Sequence, residues 1–321
     1  MRILTAQDVC AAVDMRAAID AVRAGFIALS TDRAHVPLRS VLTTEGGMML
    51  TMPAHINGTP VSTVKVVSVG PDNLARGLPT VYATVLVIDS QTGAPLALME
   101  GGVLTAQRTG AASGLATDLM ALPDASILAV IGAGIQARTQ IAAVCTVRPI
   151  TEIRIFSLSG AEPMADELRA LYRADIIVAP SAHAALDHAH VIVAATNSTT
   201  PVVHLNDLAP GAHINGIGSF TPQMQEIAAD VVTVARIVVD HRESVWAEAG
   251  DLIIPRNQGL ITERAVYAEI GEIAAGLKSG RQNAQEITFF KSVGNAVQDA
   301  ALAQRILAAA DALGLGIDVT L

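Results

Sequence analysis

Aromatic residues are scarce in this chain: five Phe, three Tyr and one Trp among 321 residues, or 3%. The apolar content, 51%, is in large part alanine, which suits closely packed helices. Basic residues are outnumbered, 21 Lys and Arg against 30 Asp and Glu, for a formal charge of −9. That balance argues against nucleic acid and anionic membrane as partners. No apolar run approaches the ~20 residues of a membrane span, and Met1-Arg-Ile-Leu-Thr-Ala-Gln-Asp8 has no apolar signal segment. A cytoplasmic protein is therefore expected. Cysteine is nearly absent. Cys10 and Cys145 stand far apart without metal-ligand spacing, and are read as buried thiols in a reducing compartment. The eight His residues form no ligand-spaced cluster, so no metal is expected.

What is present is a glycine turn in a telling place. Leu128-Ala-Val-Ile-Gly-Ala-Gly-Ile-Gln-Ala137 begins as a buried parallel strand over 127–131 and continues, through Val144, as a helix. Gly132, Ala133, Gly134, Ile135, Gln136 and Ala137 fit G-x-G-x-x-[GA]. Gly132 permits the tight turn, Gly134 the close approach of backbone to a pyrophosphate, and Ala137 close helix–strand packing. The alternative, glycines that only make a turn, is weakened by alternating strand and helix patterns on either side.

Residues 5–30 read as helix, with Thr5 as N-cap and an apolar stripe of Val9, Ala12, Val13, Ile19, Val22, Phe26 and Leu29. Short β segments follow at 48–52, 61–69, 80–89 and 96–100. A small-residue helix is expected over 104–121, strands at 127–131, 152–157, 175–179, 190–195, 212–216 and 231–239, and a closing helix over about 294–313. The predicted fold is α/β: a Rossmann dinucleotide-binding domain (121–293), and an α+β substrate-binding and dimerisation domain (1–120 with 294–321).

Three cations stand in apolar or small-residue surroundings: Arg39, Lys65 within Val61-Ser-Thr-Val-Lys-Val-Val-Ser-Val69, and Arg108. Buried charge needs a partner, and Arg grips a carboxylate with two parallel hydrogen bonds, so an anionic ligand is one explanation. A desolvated Lys can also be tuned toward proton transfer. The alternative is a set of exposed charges in ordinary ion pairs.

Together these motifs resemble the ornithine cyclodeaminase/mu-crystallin family from end to end. The likeness is carried by Val64-Lys65-Val66, Leu104-Thr-Ala-Gln-Arg108-Thr-Gly-Ala-Ala-Ser113, the glycine turn, His213-Ile-Asn-Gly-Ile-Gly218 and Lys291-Ser-Val-Gly-Asn-Ala-Val-Gln-Asp299. The resemblance implies a homodimer binding a small amino or imino acid, with NAD or NADP in the Rossmann domain. By position it makes Arg39, Lys65 and Arg108 substrate-carboxylate and proton-handling residues, Lys65 and Arg108 catalytic. Thr196, Asn197, Ser198, Ile217 and Val293 become cofactor-lining positions.

The family also includes cyclodeaminases, alanine dehydrogenases and a crystallin-like binding protein, so ammonia lyase, acyclic dehydrogenase and non-enzymatic roles stay open. One departure bears on the choice. Its cyclodeaminases and alanine dehydrogenases carry an acid shortly after the glycine matching Gly218, where this chain has Phe220, followed by Thr221. Glu226 matches a different family position and is not expected to replace that acid. Ser219-Phe-Thr-Pro222 is similar to the family's ketimine reductases. This implies NAD(P)H-dependent reduction of a cyclic α-imino acid, Δ1-pyrroline-2-carboxylate or Δ1-piperideine-2-carboxylate, to L-proline or L-pipecolate, with Phe220 and Thr221 at the substrate.

The second strand ends in Phe156-Ser157-Leu158-Ser159-Gly160, with no acid before Glu162. Selectivity for NAD usually rests on Asp or Glu there. Ser157, Leu158 and Ser159 therefore point to NADP(H) over NAD(H), the two serines donating to a 2′-phosphate.

Overall fold

The computed structural model describes residues 1–320. They form two compact units, 1–108 with 295–320 and 109–294. The division falls inside a helix, earlier than the position 120 expected from the sequence.

The first unit begins with β1 (Arg2–Leu4), α1 (Ala6–Ala12) and α2 (Met15–Ser30). It continues with β2 (Ala34–His35), β3 (Ser40–Thr44), β4 (Gly47–Ile56), β5 (Val61–Val69), β6 (Val81–Asp89) and β7 (Pro95–Glu100). The expected helix over 5–30 is two helices. Thr5 caps α1 in a reciprocal capping box with Asp8, while Asp14 accepts from the Ala17 backbone and starts α2 afresh. An aspartate inside an apolar stripe is a competing cap, and here it wins. Cys10 is exposed, contrary to the expected burial, because Val9 is the buried residue of α1. Cys145 is half-buried, and burial pushes its thiol up to about 12.

α3 (Gly101–Met120) leads into the second unit: β8 (Ile127–Ile131), α4 (Ile135–Val147), β9 (Glu152–Phe156), α5 (Ala161–Leu171), β10 (Asp175–Val178), α6 (Ala182–Leu186), β11 (Val191–Ala194) and β12 (His213–Gly216). Then come α7 (Ala229–Val234), β13 (Arg236–Val239), α8 (Arg242–Glu248), α9 (Gly250–Asn257), β14 (Val266–Glu269), α10 (Ile270–Ala274) and β15 (Thr288–Lys291). The chain returns to the first unit in α11 (Ala296–Leu313) and β16 (Ile317–Asp318).

The first unit's sheet runs β16-β1-β7-β6-β5-β4-β2, with β3 on β4, and is antiparallel except where β1 pairs β7. α11 packs on it through Ala296 and Ala300 against Met52 and Ala54. The second sheet is parallel, in the order β10-β9-β8-β11-β12-β15-β13-β14. Its central strands β8 and β11 read as unbroken apolar runs because both faces are covered. Ile131, Ile192, Ile214 and Phe289 enter one core, Leu128, Val130, Ile141 and Ile153 the other.

The strand expected over 231–239 begins only at Arg236. Residues 229–234 form a helix, where Asp230 in the first turn accepts from the Val231 backbone and its carbonyl accepts from the Thr233 hydroxyl. Among the described residues no helix is long and apolar enough to cross a membrane.

Candidate active site

Lys65 lies at the middle of β5, opposite Met52 on β4 and Val85 on β6. Alternation along the strand puts Val61, Thr63 and Lys65 on its buried face, so the lysine is only 1% exposed. Its ammonium straddles the Asp299 carboxylate, with Nζ 2.9 Å from Oδ1 and 2.8 Å from Oδ2. Arg108 is also buried, its Nε 3.2 Å from Asp299 Oδ1 and its Nη1 donating to Gln298 Oε1 at 2.5 Å. Asp299 and Gln298 sit in the first turn of α11, where the helix dipole favours a carboxylate. Asn295 caps that turn, accepting from the Val297 backbone at 2.9 Å, while its own backbone donates to Gln298 Oε1 at 2.8 Å.

The cluster contains two cations and one carboxylate, an excess of one positive charge before Arg39 is counted. Burial, then the Arg108 charge, lowers Lys65 to about 8. Asp299 opposes this, and the half-buried Arg39 adds to the lowering. A buried lysine with that acidity can give or take a proton near neutral pH. Among the described residues the buried Gln298 Nε2 has no hydrogen-bond partner, a donor left over beside Arg108. This geometry overturns the reading of Lys65 and Arg108 as exposed surface charges. It also adds an internal counter-ion that sequence reasoning missed. Asp299 was in view only as the last letter of a motif, and an acid buried in an alanine-rich helix was its signal.

In the second unit the candidate residues gather at the carboxyl ends of five adjacent parallel strands, β9, β8, β11, β12 and β15. Gly132 follows β8 with φ +112°, and a Cβ there would stand 2.4 Å from the Ala195 carbonyl oxygen, so only glycine fits. Ala133 continues the turn and Gly134 is the N-cap of α4, leaving the first-turn N–H groups of Ile135 and Gln136 free of helical partners. Ala137 is fully buried against the sheet. Ile135 is exposed, and Leu158, between Ser157 and Ser159 after β9, is 97% exposed. Anion-binding backbone at the end of β8 and open apolar side chains beside it fit a dinucleotide.

Thr196, Asn197 and Ser198 follow β11, Ile217 follows β12, and Val293 follows β15, its backbone donating to Asp240 Oδ2 at 3.0 Å. Phe220 is 44% exposed, and the Thr221 carbonyl accepts from Gly250. Three carboxylates are buried beneath these loops: Glu226, considered in the sequence only as no replacement for the missing acid, and Asp240 and Asp251, which the sequence reading passed over. Their signal was charge within apolar stretches such as Met224-Gln-Glu-Ile-Ala228.

A Rossmann-type sheet with a glycine turn, together with a unit holding a buried Lys–Arg–Asp cluster, defines a two-unit, dinucleotide-fold protein class. Residues 1–312 match the model of the ornithine cyclodeaminase/mu-crystallin family. The Δ1-pyrroline-2-carboxylate reductase of Bacillus thuringiensis subsp. konkukian is 36% identical over 321 residues, covering 98% of each chain. The chain belongs to this family. Among solved structures, Thermococcus litoralis Δ1-pyrroline-2-carboxylate reductase, in complex with NADH and L-proline, aligns with TM-score 0.96 and 40% identity over 99% of this chain and 100% of that one. An archaeal alanine dehydrogenase dimer with bound NAD aligns with TM-score 0.94 and 33% identity over 100% and 99%.

Proposed function

We propose that the protein is a nicotinamide-dinucleotide-dependent ketimine reductase that reduces a cyclic α-imino acid, Δ1-pyrroline-2-carboxylate or its six-membered homologue, to L-proline or L-pipecolate. The observation that carries this is the Lys65–Arg108–Asp299 cluster. It combines a net positive charge for a carboxylate with a buried ammonium of tuned acidity. Arg39 and Arg108 hold the ring carboxylate. Lys65 protonates the imine nitrogen, making C2 electrophilic, and Asp299 keeps the ammonium charged and aimed. A reduced dinucleotide bound at the Gly132–Ala137 turn supplies the hydride. Phe220 and Thr221 border the substrate, and the phenyl group offers an apolar surface where deaminating relatives place an acid. Thr196, Asn197, Ser198, Ile217 and Val293 line the cofactor. The similarity to reductases of this class supports the reading. The test is proline formation from Δ1-pyrroline-2-carboxylate with added NADH or NADPH, set against ammonia release from ornithine without added cofactor. Ammonia release alone would make the protein a lyase.

The acidity of Lys65 sets the pH dependence. In the reductive direction the lysine must be protonated, so kcat/KM falls about tenfold per pH unit above about 8. In proline oxidation it must accept a proton, so that rate rises through the same pH. Matched profiles in the two directions check this, and a reductive rate flat to pH 10 would contradict it.

NADP(H) is the preferred cofactor, with NAD(H) also accepted, because Ser157 and Ser159 can donate to a 2′-phosphate and no acid repels it. Ser157→Asp is expected to lower kcat/KM for NADPH by about tenfold or more while sparing NADH, through charge repulsion and a lost donor. An unchanged ratio of the two would contradict the assignment. The relatives' complexes hold NADH and NAD, so the ratio in the native protein is the first measurement.

Val41, Leu42, Met48, Val81 and Tyr82 are exposed on β3, β4 and β6 of the first unit, and β3 is exposed at all five positions. An apolar sheet surface of this kind fits a second copy of the chain. A homodimer in the cytoplasm, acting in proline metabolism, is the setting this reading implies.

A further inference from the structure

Glu226 is fully buried, and its two carboxylate oxygens are spent on two loops. Oε1 accepts from the Thr196 backbone at 2.6 Å and the Thr196 hydroxyl at 2.8 Å. Oε2 accepts from the backbones of Gly218 at 2.7 Å and Ser219 at 2.9 Å. The loops touch there: a Cβ on Gly218 would lie 2.0 Å from the Thr196 carbonyl oxygen and 2.6 Å from Glu226 Oε1. The carboxylate is itself held from behind. Asp251 Oδ1, in the first turn of α9, accepts from the Glu226 backbone at 2.7 Å and the Ile227 backbone at 3.0 Å. Asp251 Oδ2 pairs with Lys291 Nζ at 2.8 Å, where β15 ends.

We propose that Glu226 is a positioning residue for the dinucleotide: its carboxylate sets the loops after β11 and β12, which carry Thr196, Asn197, Ser198 and Ile217, in the shape that receives the cofactor. The inference rests on the dinucleotide reading above. Four donors converge on two oxygens, so the brace needs an ionised carboxylate with both oxygens accepting. Glutamine would turn an NH2 group toward the donors of one loop and hold only the other. The titratable groups facing Glu226 are Asp251 from α9 and Lys291 from β15, while the loops present N–H groups and the Thr196 hydroxyl. Burial raises Glu226 above the usual carboxylate range and Asp251 adds to this, while Lys291 and the Thr196 donors oppose it. The brace therefore loosens on the acid side when Glu226 takes up a proton.

The experiment is the Kd of NADH and of NADPH, by titration calorimetry from pH 5 to 8, for the native protein, E226Q and E226D. The native protein is expected to bind more weakly as pH falls. E226Q should bind about tenfold to a hundredfold more weakly at pH 7.5, with its acid-side pH dependence lost. E226D, which keeps two accepting oxygens, should recover part of the affinity and the pH dependence. E226Q affinity within twofold of native, or weakened with the native pH dependence intact, would overturn the proposal. If E226Q does not fold, amide exchange of the native protein decides. The Thr196, Gly218 and Ser219 amides are expected to be protected at pH 7.5 and to lose protection beyond the intrinsic rate change on acidification, and free exchange at pH 7.5 would overturn it. Failure of the native protein to bind either dinucleotide would instead bring down the dinucleotide reading itself.

Discussion

Replacing Lys65 with methionine lowers kcat/KM for imine reduction by about a thousandfold, within the usual contribution of a positioned general acid. The dinucleotide Kd changes by less than about twofold. Methionine approximates the volume and removes the proton. Asp299 keeps Arg108 as a partner, so the first unit retains a neutral pair where it had an excess positive charge. The positions proposed for the dinucleotide all lie in residues 132–293, in the second unit, which is why binding is expected to be spared. Steady-state rates with a separate binding titration check both halves. Undiminished reduction by K65M would remove Lys65 from the chemistry, and lost dinucleotide binding would mean that the substitution had damaged more than proton transfer.

The second large effect is that of Asp299→Asn. The native carboxylate works against burial, Arg108 and Arg39, which all lower Lys65. Without it those three act unopposed, so the lysine loses its proton at lower pH than about 8. The reductive limb of the pH profile moves to more acid pH, and kcat/KM at pH 7.5 falls by about a hundredfold as the acid form is depleted and its aim is lost. Two buried cations are also left without a counter-ion, a loss of the kind that costs about 3–5 kcal/mol. Denaturant unfolding of D299N with its pH–rate profile checks the pair of effects. A limb that stays near pH 8 would show that Asp299 does not tune Lys65.

Much of this was legible in the sequence because local physics left little choice. The run 127–131 could only be buried on both faces. Gly132 was needed for a turn whose positive φ and contact with Ala195 admit no side chain. Lys65 stood out because a charge at a buried-face position of a β-branched strand is costly without a partner. What escaped was that partner. Asp299 lies 234 residues away along the chain, and nothing local to either residue says that they meet. The same holds for Glu226, whose four donors come from two other loops, and for Asp251 with Lys291. The errors in element boundaries were local contests with a different winner. Asp14 offered a cap inside an apolar stripe, and residues 229–234, with Asp230 in the first turn, took helix in a β-branched run.

The most direct test of the central claim is the initial rate of NADPH and NADH oxidation with Δ1-pyrroline-2-carboxylate, Δ1-piperideine-2-carboxylate, and pyruvate with ammonia. Rapid oxidation is expected with the cyclic imines, with higher kcat/KM for at least one of them than for the acyclic pair, and with L-proline or L-pipecolate as product. Faster turnover of pyruvate with ammonia, or no oxidation with either ring, would contradict it.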